Sequence, residues 1–121
     1  MKLEKQLIMT IGMTNNNWEL TREMVENSLN TFTGKPIVWN KEQNFKDYSD
    51  MKSYYIDNKI IGIIAAEPDS KIIIEDNNVY ADIWLFEKFD GDKLWKGKSD
   101  NWCITIADDW KSFILDSIEV F

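Results

Sequence analysis

No histidine occurs anywhere in the chain. Its absence removes the usual general base, the commonest metal ligand and the usual activator of a serine or cysteine nucleophile. Cysteine is almost missing as well. Cys103 stands alone, so no internal disulfide can form, and a reducing compartment is the expected setting. No segment approaches the about 20 consecutive apolar residues that cross a bilayer, so no membrane partner is expected. The opening stretch MKLEKQLIMTIGM largely alternates polar with apolar residues and reads as a strand, not as a targeting peptide. Positive charge is in short supply: 14 Lys and Arg face 21 Asp and Glu, for a net charge of −7. That balance argues against direct nucleic-acid binding, which needs a basic surface to neutralise phosphates. It leaves room for a basic protein partner, including a nucleic-acid-binding one.

With 44% hydrophobic and 29% charged residues over 121 positions, the composition is that of one globular domain, residues 1–121, large enough for a core without staples. Its organising stretch is Asn15–Trp39. Asn15-Asn16-Asn17 is turn material, because short amide side chains bond their own backbone and tolerate unusual φ. Leu20, Met24, Val25, Leu29 and Phe32 recur at helical spacing and predict one main helix over about residues 20–31, with Thr21 as N-cap and Glu23 in its first turn. Gly34-Lys35-Pro36 stop it, and Ile37-Val38-Trp39 read as a strand.

Around this unit the chain reads as strands. In the first, Leu3, Leu7, Met9, Ile11 and Met13 share one parity, with Lys5 and Ile8 as exceptions. Ile60–Ala66, with Gly62 at a bulge or a close backbone approach, reads as a central strand hairpinned to Tyr54-Tyr55-Ile56. Lys71–Glu75, Val79–Phe86 and Trp102–Ala107 follow, and Trp110–Phe121 closes the chain as one strand or a bent pair. Asn40–Ser53 reads as a loop with one helical turn, and Glu87–Asp100 as a second charged, turn-rich region. The expected class is α+β: a mostly antiparallel β-barrel or curled sheet carrying one helix.

Most chemistry-bearing patterns reduce to turns. Gly34-Lys35 lacks the upstream glycine of a phosphate-binding loop and is followed by proline. Asp90-Gly91-Asp92 and Asp108-Asp109 do not follow calcium-loop spacing. Cys103 has no local base or cation to activate it. No spacing argument brings Asp82 together with Asp108 or Asp109 as an acid–base pair. No metal or cofactor is expected. The six tryptophans are the positive signal. Trp18 and Trp95 fall in turn or charged stretches, where large aromatics mark binding surfaces, and Val79–Phe86 sets Tyr80, Asp82 and Trp84 on one face.

The order of several short motifs resembles phage prohead maturation proteases and related prohead or scaffold-like proteins. The Asn15-Asn16-Asn17 turn, the helix Thr21–Leu29 and Gly34-Lys35-Pro36-Ile37-Val38 are similar to that family's opening unit. Ile60-Ile61-Gly62-Ile63-Ile64, Asn78-Val79-Tyr80-Ala81-Asp82-Ile83, Trp102-Cys103-Ile104-Thr105-Ile106 and Asp116-Ser117-Ile118-Glu119-Val120 look like its later strands. The resemblance implies a closed β-barrel and a bacterial host cytoplasm. It does not carry the chemistry over. The family's histidine base would fall at Asn40, and its serine nucleophile falls near Cys103, a thiol without an imidazole.

Together with the missing histidine, the resemblance implies a non-enzymatic phage or prophage binding protein, acting in capsid assembly or as an inhibitor of a host anti-phage factor. The expected partner is a protein, either a basic nucleic-acid-binding host protein or a capsid component, and self-association is compatible with it. The candidate binding surface is Trp18, Trp39, Asn40, Tyr80, Asp82, Trp84, Trp95 and Trp102. The alternative is a sponge that sequesters a nucleotide-type small molecule in an aromatic pocket, since bases stack on such rings.

Overall fold

The structure, a computed structural model, describes residues 2–14, 16–39, 60–86 and 101–120. Nine strands and one helix occur among them. In chain order they are β1 (Lys2–Thr10), β2 (Gly12–Met13), β3 (Glu19–Leu20), α1 (Arg22–Glu26), β4 (Pro36–Trp39), β5 (Ile60–Ile64), β6 (Ile72–Glu75), β7 (Asn78–Leu85), β8 (Asn101–Ile106) and β9 (Phe113–Val120). A 3₁₀ turn, Leu29–Thr31, follows α1. Seven strands form one sheet in the order β1-β7-β5-β4-β9-β8, with β6 also paired to β7, while β2 and β3 form a separate small hairpin. The β4–β9 pair is parallel and every other pair antiparallel. The class is therefore α+β and sheet-rich.

The sheet is open, which corrects the closed barrel that the resemblance implied. Its two ends, β1 and β8, approach one another, but among the described residues no ladder joins them. β1 carries two register shifts in its ladder with β7, between Leu3 and Gln6 and between Leu7 and Met9, and each disrupts that ladder locally and bends the strand. The exceptions to alternation mark the interruptions. Lys5 sits at φ +49° inside the first shift, and Ile8 is the extra residue of the second, so that Ile8 and Met9 are both fully buried. After these shifts the expected parity no longer holds, and Met13 is exposed instead of buried.

The core lies against one face of β7, whose Val79, Ala81, Ile83 and Leu85 are buried, with Ile61 and Ile64 of β5 and Leu115 of β9 beside them. β5 is central, between β7 and β4. Gly62 is a close approach: a Cβ there would meet the Trp84 carbonyl oxygen at 2.1 Å. The predicted partner of β5, Tyr54-Tyr55-Ile56, lies outside the described residues, as do the loops expected at 40–53 and 87–100.

The helix is shorter than about 20–31. Leu20 belongs to β3, and α1 runs only from Arg22 to Glu26. Its start is as expected: the Thr21 Oγ1 accepts the Met24 N–H at 3.2 Å, and Glu23 complements the dipole. Its end comes early because Ser28 diverts the backbone. The Ser28 hydroxyl donates to the Met24 carbonyl at 2.5 Å and accepts the Phe113 N–H at 2.8 Å, a side-chain competition that ends helices. The apolar stripe nonetheless packs as read: Leu20, Met24, Val25 and Phe32 are buried and Leu29 half-buried. Gly34 turns the chain at φ +76°, and its N–H donates to the Ile64 carbonyl at 2.8 Å, delivering β4 to its place beside β5.

Candidate functional site

Two aromatic groupings emerge, and they differ in what occupies their rings. The first is the outer face of β7. Side chains alternate across a strand, so Tyr80, Asp82 and Trp84 share the face opposite the core, as the sequence indicated. The structure fills that face from within the chain. The Lys2 ammonium lies 5.9 Å from the Trp84 ring centroid and that of Lys5 lies 5.5 Å from the Tyr80 ring. Lys2 pairs with Glu67 at 3.3 Å and Lys5 with Glu75 at 2.9 Å. The Trp84 indole N–H donates to Glu67, whose second oxygen accepts the Ser70 hydroxyl at 2.7 Å.

The electrostatics of this face are mutually supportive. The hydrogen bond from Ser70 is the largest influence on Glu67. With those from Trp84 and Lys2 it outweighs desolvation and holds the carboxyl below its ordinary value. Desolvation acts most on the Lys2 ammonium and lowers it, but the Glu67 hydrogen bond and the charges of Asp69, Glu67 and Asp82 prevail, leaving it above the ordinary lysine value.

Asp82, between the two rings, is only 8% exposed. It is the single β7 residue opposite Glu4 and Lys5 at the first bulge of β1, and its Oδ1 accepts the Lys5 N–H at 3.0 Å. Its Oδ2 accepts the Lys71 N–H at 3.2 Å. On that edge β7 changes neighbours, from β6 along Asn78–Ala81 to β5 along Ile83–Leu85. Both oxygens therefore hold main-chain groups that the ladders leave over. Asp82 is a framework residue.

The second grouping is a tryptophan trio. The Trp18 ring meets Trp102 edge-to-face at 6.1 Å and Trp110 edge-to-face at 6.0 Å. Trp18 and Trp102 pack on the core, whereas Trp110 is 57% exposed. Three elements position them. Trp18 precedes β3, where the Asn17 turn at φ +64° and the Thr14 N–H to Trp18 carbonyl bond of 2.9 Å fix the chain. Trp102 comes from β8, and Trp110 sits in the β8–β9 connection. There Trp110 N–H donates to the Ala107 carbonyl at 3.0 Å and Lys111 N–H to Asp109 Oδ1 at 2.9 Å. The Asn27 amide donates to the Lys111 carbonyl at 2.9 Å, tying the turn to the end of α1.

Trp110 itself adopts φ +60°, an unusual conformation for a bulky side chain. It was expected to open the last strand, which in fact starts at Phe113. The turn signal Asp108-Asp109 directly before it is the feature that marks it as a loop residue. Of the eight candidates, the trio contains Trp18 and Trp102, and the β7 face contains Tyr80, Asp82 and Trp84. Trp39 closes β4, while Asn40 and Trp95 lie outside the described residues. Among the described residues no three acidic or cysteine side chains converge as a metal site, and no helix is long and apolar enough to cross a membrane. Comparison with models of protein families, with curated proteins and with solved structures gave no match.

Proposed function

We propose that this protein acts by binding another protein, and that the Trp18–Trp102–Trp110 trio is its contact surface. The observation that carries the reading is Trp110: a large apolar ring, more than half exposed, held at positive φ and braced edge-to-face on a half-buried partner. Unusual backbone at an exposed aromatic is a cost of about 1–2 kcal/mol, so it persists where something other than stability favours it. Rigid aromatics set into a supported turn are the side chains that dominate protein interfaces. The motif order supports a phage or prophage setting, with a capsid component or a host defence factor as the partner. The open sheet departs from that family's barrel, so the reading rests on the surface and not on ancestry.

The nucleotide-sponge reading draws less support. The Tyr80–Trp84 face, its natural pocket, already holds the chain's own Lys2 and Lys5 over its rings.

The test is Trp110→Asn, since asparagine tolerates the left-handed turn. The variant relieves the strain but gives up the edge-to-face contact, about 0.5–1.5 kcal/mol, and the burial of the covered part of the ring, so urea denaturation first establishes that it is folded under the assay conditions. Capture of a specific protein from bacterial lysate, identified by mass spectrometry with the wild-type chain as bait, is lost in the variant. Equal capture by both proteins refutes the reading.

A further inference from the structure

We infer that the trio takes an arginine side chain from a basic segment of the partner, held over the open ring of Trp110. This rests on the binding reading above and names what the partner must present.

The first argument is internal. The chain builds the same kind of contact twice on β7, where a cation lies over an aromatic ring and a carboxylate holds it: Lys2 with Trp84 and Glu67, and Lys5 with Tyr80 and Glu75. Trp110 has the ring and neighbouring carboxylates, Asp108 and Asp109, both exposed. Among the described residues no cation lies over it. The ring thus follows two exposed carboxylates directly in the chain and precedes one exposed lysine, Lys111, a locally net-negative setting in which a guanidinium gains both cation–π and Coulomb attraction.

The second argument is charge. A net charge of −7 draws a basic partner by long-range steering and disfavours phosphate backbones. An arginine is favoured over a lysine because its planar, weakly hydrated head stacks on indole. Asp109 adds a useful separation of roles. Its Oδ1 caps the Lys111 N–H, a bond that asparagine can also make, so Asp109→Asn removes charge while keeping the turn.

The experiment titrates the full-length protein with oligo-arginine, oligo-lysine and a neutral Gly-Ser peptide, reading tryptophan emission at low and at high salt. Oligo-arginine is expected to give a saturable change, stronger than oligo-lysine and weakened by salt, with no response to the neutral peptide. Trp110→Asn weakens binding about tenfold, the scale of one desolvated cation–π contact. Asp108→Asn combined with Asp109→Asn weakens it about threefold, as exposed charges do. Equal affinity of wild type and Trp110→Asn shows attraction to net charge alone and overturns the inference. So does self-association that depends on Trp110 in the absence of peptide binding. If lysate capture still requires Trp110 while oligo-arginine fails to bind, only the arginine assignment falls. If neither depends on Trp110, the binding surface falls with it.

Discussion

Asp82 accepts two main-chain N–H groups from segments that pair with opposite edges of β7, Lys5 at the bulge of β1 and Lys71 just before β6. Replacing it with alanine leaves both amides without their acceptor in a largely water-excluded position, a loss of about 1–3 kcal/mol. Asparagine retains one acceptor oxygen and falls between. Urea denaturation of Asp82→Ala and Asp82→Asn measures this ordering, and partner capture by the folded variants is expected to match that of the wild type. A loss of capture without a loss of stability would return Asp82 to a binding surface. The sequence placed this residue correctly on a face with Tyr80 and Trp84, because period-2 alternation is a local property. It gave no sign that the carboxylate is engaged, because the amides it holds lie 77 and 11 residues away in the chain.

Between single residues and the sheet stands the joint of α1 with β9. The first half of β9 lies next to the 3₁₀ turn, and two hydroxyls there act as a ladder: Ser28 Oγ takes the Phe113 N–H and Thr31 Oγ1 takes the Leu115 N–H at 3.1 Å. The two-residue step of the strand is matched to the three-residue step of a 3₁₀ turn. Ser28→Ala removes the buried acceptor and leaves the Phe113 amide unpaired, which is expected to cost about 1–3 kcal/mol. Faster hydrogen exchange at Phe113 and a lower urea midpoint are the readouts, and unchanged exchange would show that the hydroxyl is dispensable.

Element by element, what was local was legible. The apolar stripe, the Thr21 cap, the Gly34 turn, the Gly62 approach and the centrality of β5 all followed from spacing and turn chemistry. The interruptions of β1 were visible as breaks in parity at Lys5 and Ile8, though without their cause. The parallel β4–β9 pair and the early end of α1 were not legible, because both depend on where residues some 80 positions away come to rest. Trp110 was missed for another reason. An aromatic beside a strand pattern reads as strand, and only the turn geometry shows that it stands outside.

Over the whole molecule, one cluster joins β1, the loop before β6 and β7. Lys2 of β1, Glu67 of the loop and Trp84 of β7 are linked by an ion pair and an indole hydrogen bond. Its pH dependence follows from the two shifts. Glu67 titrates lower in the folded state than in the unfolded chain, so its contribution is present in full above the ordinary value of 4.5 and is lost as pH falls through the lowered value. Lys2 titrates higher when folded, so its contribution is present below 10.5 and is lost as pH rises through the raised value. Between these limits the cluster is intact. The difference in urea midpoint between wild type and Glu67→Gln is therefore expected to be constant through neutral pH and to shrink once the solution is more acid than 4.5. Trp84 reports the same event directly, because its indole N–H loses an ionised acceptor. A low-pH change in tryptophan emission seen in wild type and absent from Glu67→Gln locates the transition at this cluster. A midpoint difference that stays constant into acid, with identical emission profiles, would mean that Glu67 is equally engaged in both protonation states and that the ion pair does not tie β1 to β7.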